Sequence, residues 1–203
     1  MNVDRKKHWE TVYETKSPDE VSWTQEIPKT SLAIIDSFGL DQSAKIIDIG
    51  GGDSKLVDHL LGKGFTNITV LDISEKALER AKHRLGEKGK MVTWIVSDIL
   101  DFQPIETYNV WHDRAAFHFL ISEIEIEKYQ SIVEKSEFLV IGTFSENGPL
   151  KCSGLEITQY SEEKLVATFK HNFDKIDAVL EDHQTPFGTT QNFLFCSLRN
   201  KEN

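Results

Sequence analysis

The spacing of apolar positions changes along the chain, and the changes mark its elements. Over residues 5–15, Trp9, Val12 and Tyr13 recur three and four apart, which predicts a short amphipathic helix. Ser17-Pro18-Asp19-Glu20 breaks that period. Leu32, Ile35 and Phe38 then predict a second helix from near Lys29 to a stop at Gly39. Ile46-Ile47-Asp48-Ile49 is short and apolar enough to be a buried strand. It runs into Gly50-Gly51-Gly52, after which Leu56, Val57, Leu60 and Leu61 resume a helical period. Residues 68–72 predict a strand, and residues 74–85 a helix with Ser74 as N-cap and Gly86 as its stop. Residues 91–96 and 107–111 predict two further strands. A helix over 122–134, a fifth strand over 137–144, an irregular loop over 145–160 and a helix over 161–170 follow. Residues 173–180 and 191–198 are close enough to pair as an antiparallel hairpin through Pro186-Phe187-Gly188. Strands alternating with helices at this pitch imply parallel βαβ units and an α/β fold.

Composition narrows the class. The 203 residues suit one domain, 1–203, with 1–40 as an N-terminal helical lid and 41–203 as the core. A net charge of −10 argues against a general nucleic-acid binder, which needs clustered Lys and Arg. Cys152 and Cys196 form neither a disulfide framework nor a C-x-x-C pair, which suits a reducing, cytoplasmic setting. The N-terminal segment through Trp9 lacks the apolar core of an export signal, and no apolar run reaches membrane-spanning length, so no membrane association is expected. The histidines are scattered without metal-ligand spacing, so no metal site is expected.

The glycine turn is of nucleotide-binding type. Glycines let the chain turn sharply and a ligand approach the backbone. A dinucleotide turn reads G-x-G-x-x-G; Gly50 and Gly52 fill its first two places, and Lys55 occupies the third. Asp72, at the end of the next strand, is placed to hold ribose hydroxyls. Asp98-Ile99, at the end of the third, can accept from an adenine amino group and pack on its ring. With Asp48 beside the turn, these acids make a rim suited to a cationic adenosine ligand such as a sulfonium rather than to a pyrophosphate.

Taken in order, these segments resemble the class I S-adenosylmethionine-dependent methyltransferases over roughly residues 40–200. Residues 46–52 resemble the family's first motif, 70–74 the ribose-binding acid, 97–99 the adenine contact, and 111–114 the region beside the transferred methyl. The resemblance implies a Rossmann-like seven-stranded sheet ordered 3-2-1-4-5-7-6 with the last-numbered strand antiparallel, and S-adenosyl-L-methionine as cofactor. It assigns cofactor contacts to Asp48, Gly50, Gly51, Gly52, Asp72, Ile73, Asp98 and Ile99, with Tyr13 of the lid closing over them. Asp113-Arg114 is similar to the Asp-Arg-Gly segment of thiopurine methyltransferases and of some elongation-factor lysine methyltransferases, with Ala115 in place of the glycine.

On the substrate side, Asp113 is the first choice as catalytic acid and His112 the second. Arg114 can pair with Asp113 or anchor a carboxylate. His118 is a substrate candidate whose competing role is that of a core histidine. Trp23 and Tyr13, with Asp19 and Glu20, can offer aromatic faces and acids to a cationic amine. Cys196 is expected in the core, Cys152 exposed in the long loop, and His183 on a solvated turn, with a place on the rim of the site as its alternative. The expected activity is methyl transfer to N, S or O of a small molecule. A basic protein's lysine is the alternative acceptor, and a cofactor-binding protein without turnover the second alternative.

Overall fold

The computed structural model describes residues 4–202; residues 1–3, the start of the segment read above for an export signal, and Asn203 lie outside the described residues. The main sheet consists of β1 (Lys45–Ile49), β2 (Asn67–Asp72), β3 (Val92–Val96), β4 (Tyr108–Arg114), β5 (Ser136–Phe144), β6 (Phe173–Gln184) and β7 (Thr190–Asn200), in the order β3-β2-β1-β4-β5-β7-β6. The first five strands run parallel, and β7 is antiparallel to both its neighbours. This is the Rossmann-like arrangement implied by the resemblance. The helices are α1 (Arg5–Thr15), α2 (Lys29–Ser37), α3 (Leu56–Gly62), α4 (Glu75–Leu85), α5 (Glu123–Val133) and α6 (Glu162–Phe169).

Period-2 alternation along the strands divides the core into two layers. Ile46, Val70, Val110 and Val140 face α2, α3 and α4, where Leu32, Leu56, Leu60 and Leu78 meet them. Ile47, Trp111, Leu139 and Ile141 face α5 and α6, against Tyr129, Val133 and Leu165. Parallel strands covered on both faces must be apolar on both, which explains why their sequences read as unbroken runs. Among the described residues no helix is long and apolar enough to cross a membrane.

Two departures from the predicted elements matter for the site. β4 was expected to end at Trp111 but continues to Arg114, because parallel pairing with β5 runs on to Gly142. His112 and Arg114 therefore fall on the α2 face, and Asp113 joins Trp111 on the α5 face. The loop over 145–160 contains a short hairpin, Lys151–Cys152 against Leu155–Glu156, which turns at Gly154 and buries Cys152 instead of exposing it. Cys196 is buried in the core.

The N-terminal segment is fixed to the core at defined points. Glu10 of α1 accepts from the Ser74 hydroxyl (3.0 Å) and the N–H groups of Glu75 (2.8 Å) and Lys76 (3.3 Å), so it caps α4 from outside. Arg80 of α4 donates in return to the carbonyls of Tyr13 and Lys16. Between α1 and α2, residues 16–28 form a strap across the carboxyl ends of the strands.

Candidate active site

A cavity of about 1060 Å³ opens at the carboxyl ends of β1, β2, β3 and β4, roofed by α1 and the strap. In doubly wound sheets ligands bind at this edge, where the strand order reverses. The order here reverses between β1 and β4, directly beneath the cavity.

The glycine turn forms the floor. Gly50 has φ +62° and a Cβ there would stand 2.8 Å from the Cβ of Ala116, so any other residue would be strained and would clash. Gly52 has φ +43°, and its absent Cβ leaves room for the Asp72 carboxylate and the Tyr13 hydroxyl, each 2.8 Å from where it would be. Gly51 donates to the Leu71 carbonyl at 3.2 Å, which pins the turn to β2. Arg84 grips its far side through the side chains of Asp53 and Asp58.

Asp72 is buried at the end of β2, where it accepts from the Ser74 N–H at 2.8 Å. Burial above all, helped by the nearby Asp48 and Glu10 and opposed by the Ser74 and Gly52 N–H groups, pushes its carboxyl up to about 7. Asp98 accepts from Leu100 N at 2.9 Å, and Ile73 and Ile99 contribute apolar lining. The cations around this end are committed elsewhere. Arg84 binds Asp53 and Asp58, Lys76 binds Glu14 at 2.8 Å, and Lys55 binds Glu26. A pyrophosphate would find no free positive charge among them, whereas a neutral or cationic adenosine meets open carboxylate oxygens.

Asp48 and His112 are register partners on β1 and β4, and their side chains meet, Nδ1 to Oδ1 at 2.7 Å. The other ring nitrogen contacts the Ser31 hydroxyl of α2 at 2.8 Å. His112 lies on the cavity wall, but both its nitrogens are engaged.

Four expectations are corrected, three of them on the acceptor side. Asp113 does not face the cavity: one oxygen accepts from the N–H groups of Ala116 (3.0 Å) and Phe117 (2.9 Å), the other from the Tyr129 hydroxyl (2.7 Å). It holds the turn after β4 and cannot reach an acceptor, because adjacent strand residues point to opposite faces. For the same reason Arg114 does not pair with Asp113. His118 is fully buried between Phe119 and Phe144, away from the cavity wall; burial and the Arg114 charge hold it neutral, down to about 3. It is a core histidine. His183, expected on a solvated turn, is buried and meets the Ser22 carbonyl at 2.6 Å, so it holds the strap.

Tyr13, Trp23 and Asp19 line the cavity, whereas Glu20 caps its own turn through Ser17. Phe119, not singled out in the sequence, completes an aromatic wall with Trp9 of α1: Trp9 packs edge-on against Trp23 (5.7 Å between centroids) and against Phe119 (5.3 Å). Trp9, read from its helical spacing with Tyr13 as a packing or lid residue, lies in that wall. Ser31 and Glu10 carried no such signal, since their partners are distant in sequence.

A protein-family profile described as a methyltransferase domain matches residues 46–134. EEF1A lysine methyltransferase 2 of Danio rerio is 25% identical over 122 residues, 55% of this chain; the match spans 52% of that relative, about half its length. Among solved structures, the SAM-dependent methyltransferase from Anabaena variabilis superimposes with a TM-score of 0.76 at 14% identity, covering 98% of this chain and 96% of that one. The N-methyltransferase NodS from Bradyrhizobium japonicum, solved with S-adenosyl-l-homocysteine, gives 0.64 at 16% identity over 85% of each chain. The chain has the class I S-adenosylmethionine-dependent methyltransferase fold. The segment similar to the methyltransferase-domain profile, residues 46–134, carries the glycine turn, Asp72, Asp98 and the end of β4.

Proposed function

We propose that this protein is an S-adenosyl-L-methionine-dependent methyltransferase whose acceptor is a small-molecule nucleophile. The observation that carries the reading is the convergence of Asp48, the glycine turn, Asp72 and Asp98 on one cavity, at successive carboxyl ends of β1, β2 and β3. Asp98 and Ile99 take the adenine, Asp72 the ribose diol, and the Gly50–Gly52 backbone the methionine end, with Asp48 on its cationic side. Tyr13 closes over the turn. When bound, S-adenosylmethionine supplies an electrophilic methyl group.

The rest of the chemistry falls to the protein's own residues. The strap and the aromatic wall exclude water and hold the acceptor in line with the methyl, and such positioning supplies a large part of the barrier reduction for a displacement of this kind. His112 is engaged at both nitrogens and Asp113 faces away, so neither serves as the acceptor's general base. The acceptor enters as a competent nucleophile or gives its proton to solvent or to the cavity-lining Asp19, and His112 keeps Asp48 oriented toward the cofactor.

The Danio rerio relative's name supports a protein lysine as a second acceptor class, and an acidic chain suits a basic protein. The buried Arg114 at the acceptor side speaks against an ammonium group there. Calorimetry with S-adenosylhomocysteine and with NAD tests the cofactor; binding of NAD alone overturns the proposal. Methyl transfer to panels of small thiols, amines and phenols, set against proteins of a cell extract, tests the acceptor. Cofactor binding with no transfer to either would leave a binding protein without turnover.

A further inference from the structure

Arg114 ends β4 on the cavity-facing side with no carboxylate in ion-pair contact among the described residues, Glu181 and Asp48 acting on it only from a distance. Its Nη1 donates to the Trp23 carbonyl at 3.0 Å, but Nε and Nη2 are buried and without a hydrogen-bond partner among the described residues. Asp113 points to the other face, and the nearby Glu181 is bonded by Gln25 at 2.9 Å. Cys152 cannot serve as counter-ion, because burial pushes its thiol up to about 12 and keeps it protonated. Beneath the guanidinium lies the Phe193 ring, 4.6 Å to its centroid. Burial has already drawn Arg114 down to about 10. A part-buried guanidinium with two of its nitrogens shut off from solvent and left unpartnered is costly to keep, so its retention calls for a partner that arrives from the cavity.

We propose that Arg114 anchors a carboxylate of the methyl acceptor, received side-on by Nε and Nη2 while Trp9, Trp23 and Phe119 pack against a planar apolar body. This rests on the methyltransferase reading above and specifies its substrate class. The unpartnered edge is the one that meets a carboxylate with two parallel N–H···O bonds. Its position fits as well. From β3 through β2 to β1 the cavity presents the proposed adenine acid, the proposed ribose acid and the glycine turn in order, and Arg114 follows on β4, at the end of that row away from Asp72 and Asp98. The bond from Nη1 to Trp23 ties the strap to the same guanidinium, so an acceptor bound to Arg114 is also covered by the aromatic wall.

The test uses the full chain saturated with S-adenosylhomocysteine and the probes benzoate and naphthoate, each paired with its neutral amide, titrated calorimetrically. The wild-type complex is expected to bind each carboxylate about tenfold or more tighter than its amide. Arg114→Met is expected to abolish that preference, to leave S-adenosylhomocysteine affinity within about twofold, and to melt no lower than wild type, because it removes an unpaired buried charge. Arg114→Lys keeps the charge but not the fork and is expected to retain a reduced preference, which holds the test open if the Met variant fails to fold. No carboxylate preference in the wild type, or a preference that survives in Arg114→Met, overturns this inference alone. Failure of the wild type to bind S-adenosylhomocysteine overturns the methyltransferase reading and this inference with it.

Discussion

Asp72→Asn is expected to make the ligand-free protein more stable while it destroys the cofactor site. Asp72 is 5% exposed, and burial has raised its carboxyl to about 7 from an ordinary 3.8. A group whose folded pKa lies above its unfolded one holds its proton in the fold, so its contribution is fully present in acid and is lost as pH rises toward the folded value. Over that span of about three pK units the loss amounts to at most about 4 kcal/mol. Asparagine carries no charge to bury and can accept from the Ser74 N–H in the same way, so the stability difference between variant and wild type should grow from about pH 4 to about pH 7 and then level off. Cofactor binding must move oppositely. If the ribose diol is held by the ionised carboxylate, affinity for S-adenosylhomocysteine should fall about tenfold between about pH 8 and about pH 6, with proton release on binding at the lower pH. The assays are thermal unfolding of both variants across that range, and calorimetry in two buffers of different ionisation enthalpy. The reasoning is refuted if the melting difference does not grow with pH, or if wild-type affinity is flat across it.

Three further outcomes follow from the geometry. Ala115 holds φ +67°, a conformation that costs an L-residue about 1 kcal/mol or more, so Ala115→Gly is expected to raise stability by up to about 1 kcal/mol in denaturant unfolding after the entropy of glycine is offset. Glu10→Ala removes the outside cap of α4 and is expected to cost about 1 kcal/mol, to speed amide exchange at Glu75 and Lys76, and to expose residues 16–28 to protease. Tyr129→Phe removes a donor to Asp113 and an acceptor for the Trp111 indole, and should cost about 2–3 kcal/mol. Asp113, already pushed up to about 6 by burial, would rise further without that donor, so the deficit measured by chemical denaturation should be larger at about pH 8 than at about pH 5.

The cofactor side of the site was legible because its determinants are local. Gly50, Gly52, Asp72 and Asp98 each stand within a few residues of a strand end, and the strand ends converge once the sheet forms. The acceptor side depends on where β4 stops, and that is fixed by pairing with β5, a partner more than twenty residues away. With the strand taken to end at Trp111, His112 and Asp113 could both be aimed at a substrate. With pairing continued to Arg114, the pleat allows only one of them, and it turns Asp113 into the anchor of the following turn. The roles of Ser31, Glu10 and His183 were hidden for the same reason: each polar atom is satisfied by a residue distant in the chain. Cys152 looked exposed because a loop of irregular composition conceals its own small hairpin.

The strap has both feet nailed down. At one end α1 is fastened to α4 through Glu10 and Arg80, and at the other α2 is joined to the cofactor floor through Ser31, His112 and Asp48. Between them the strap is drawn together by Thr24 on the Pro18 carbonyl, and its hydrogen bonds to the far wall among the described residues run through Arg114, His183 and the Gln25–Glu181 pair. A strap held at both ends opens only by lifting along its middle, and Glu26 keeps it bonded to Lys55 and His59 beside the glycine turn. Under the proposed function, lifting that breaks the bonds on the β4, β6 and β7 side would let acceptor and methylated product exchange through that gap while the nucleoside end stays covered, so that access and retention fall to opposite ends of one loop.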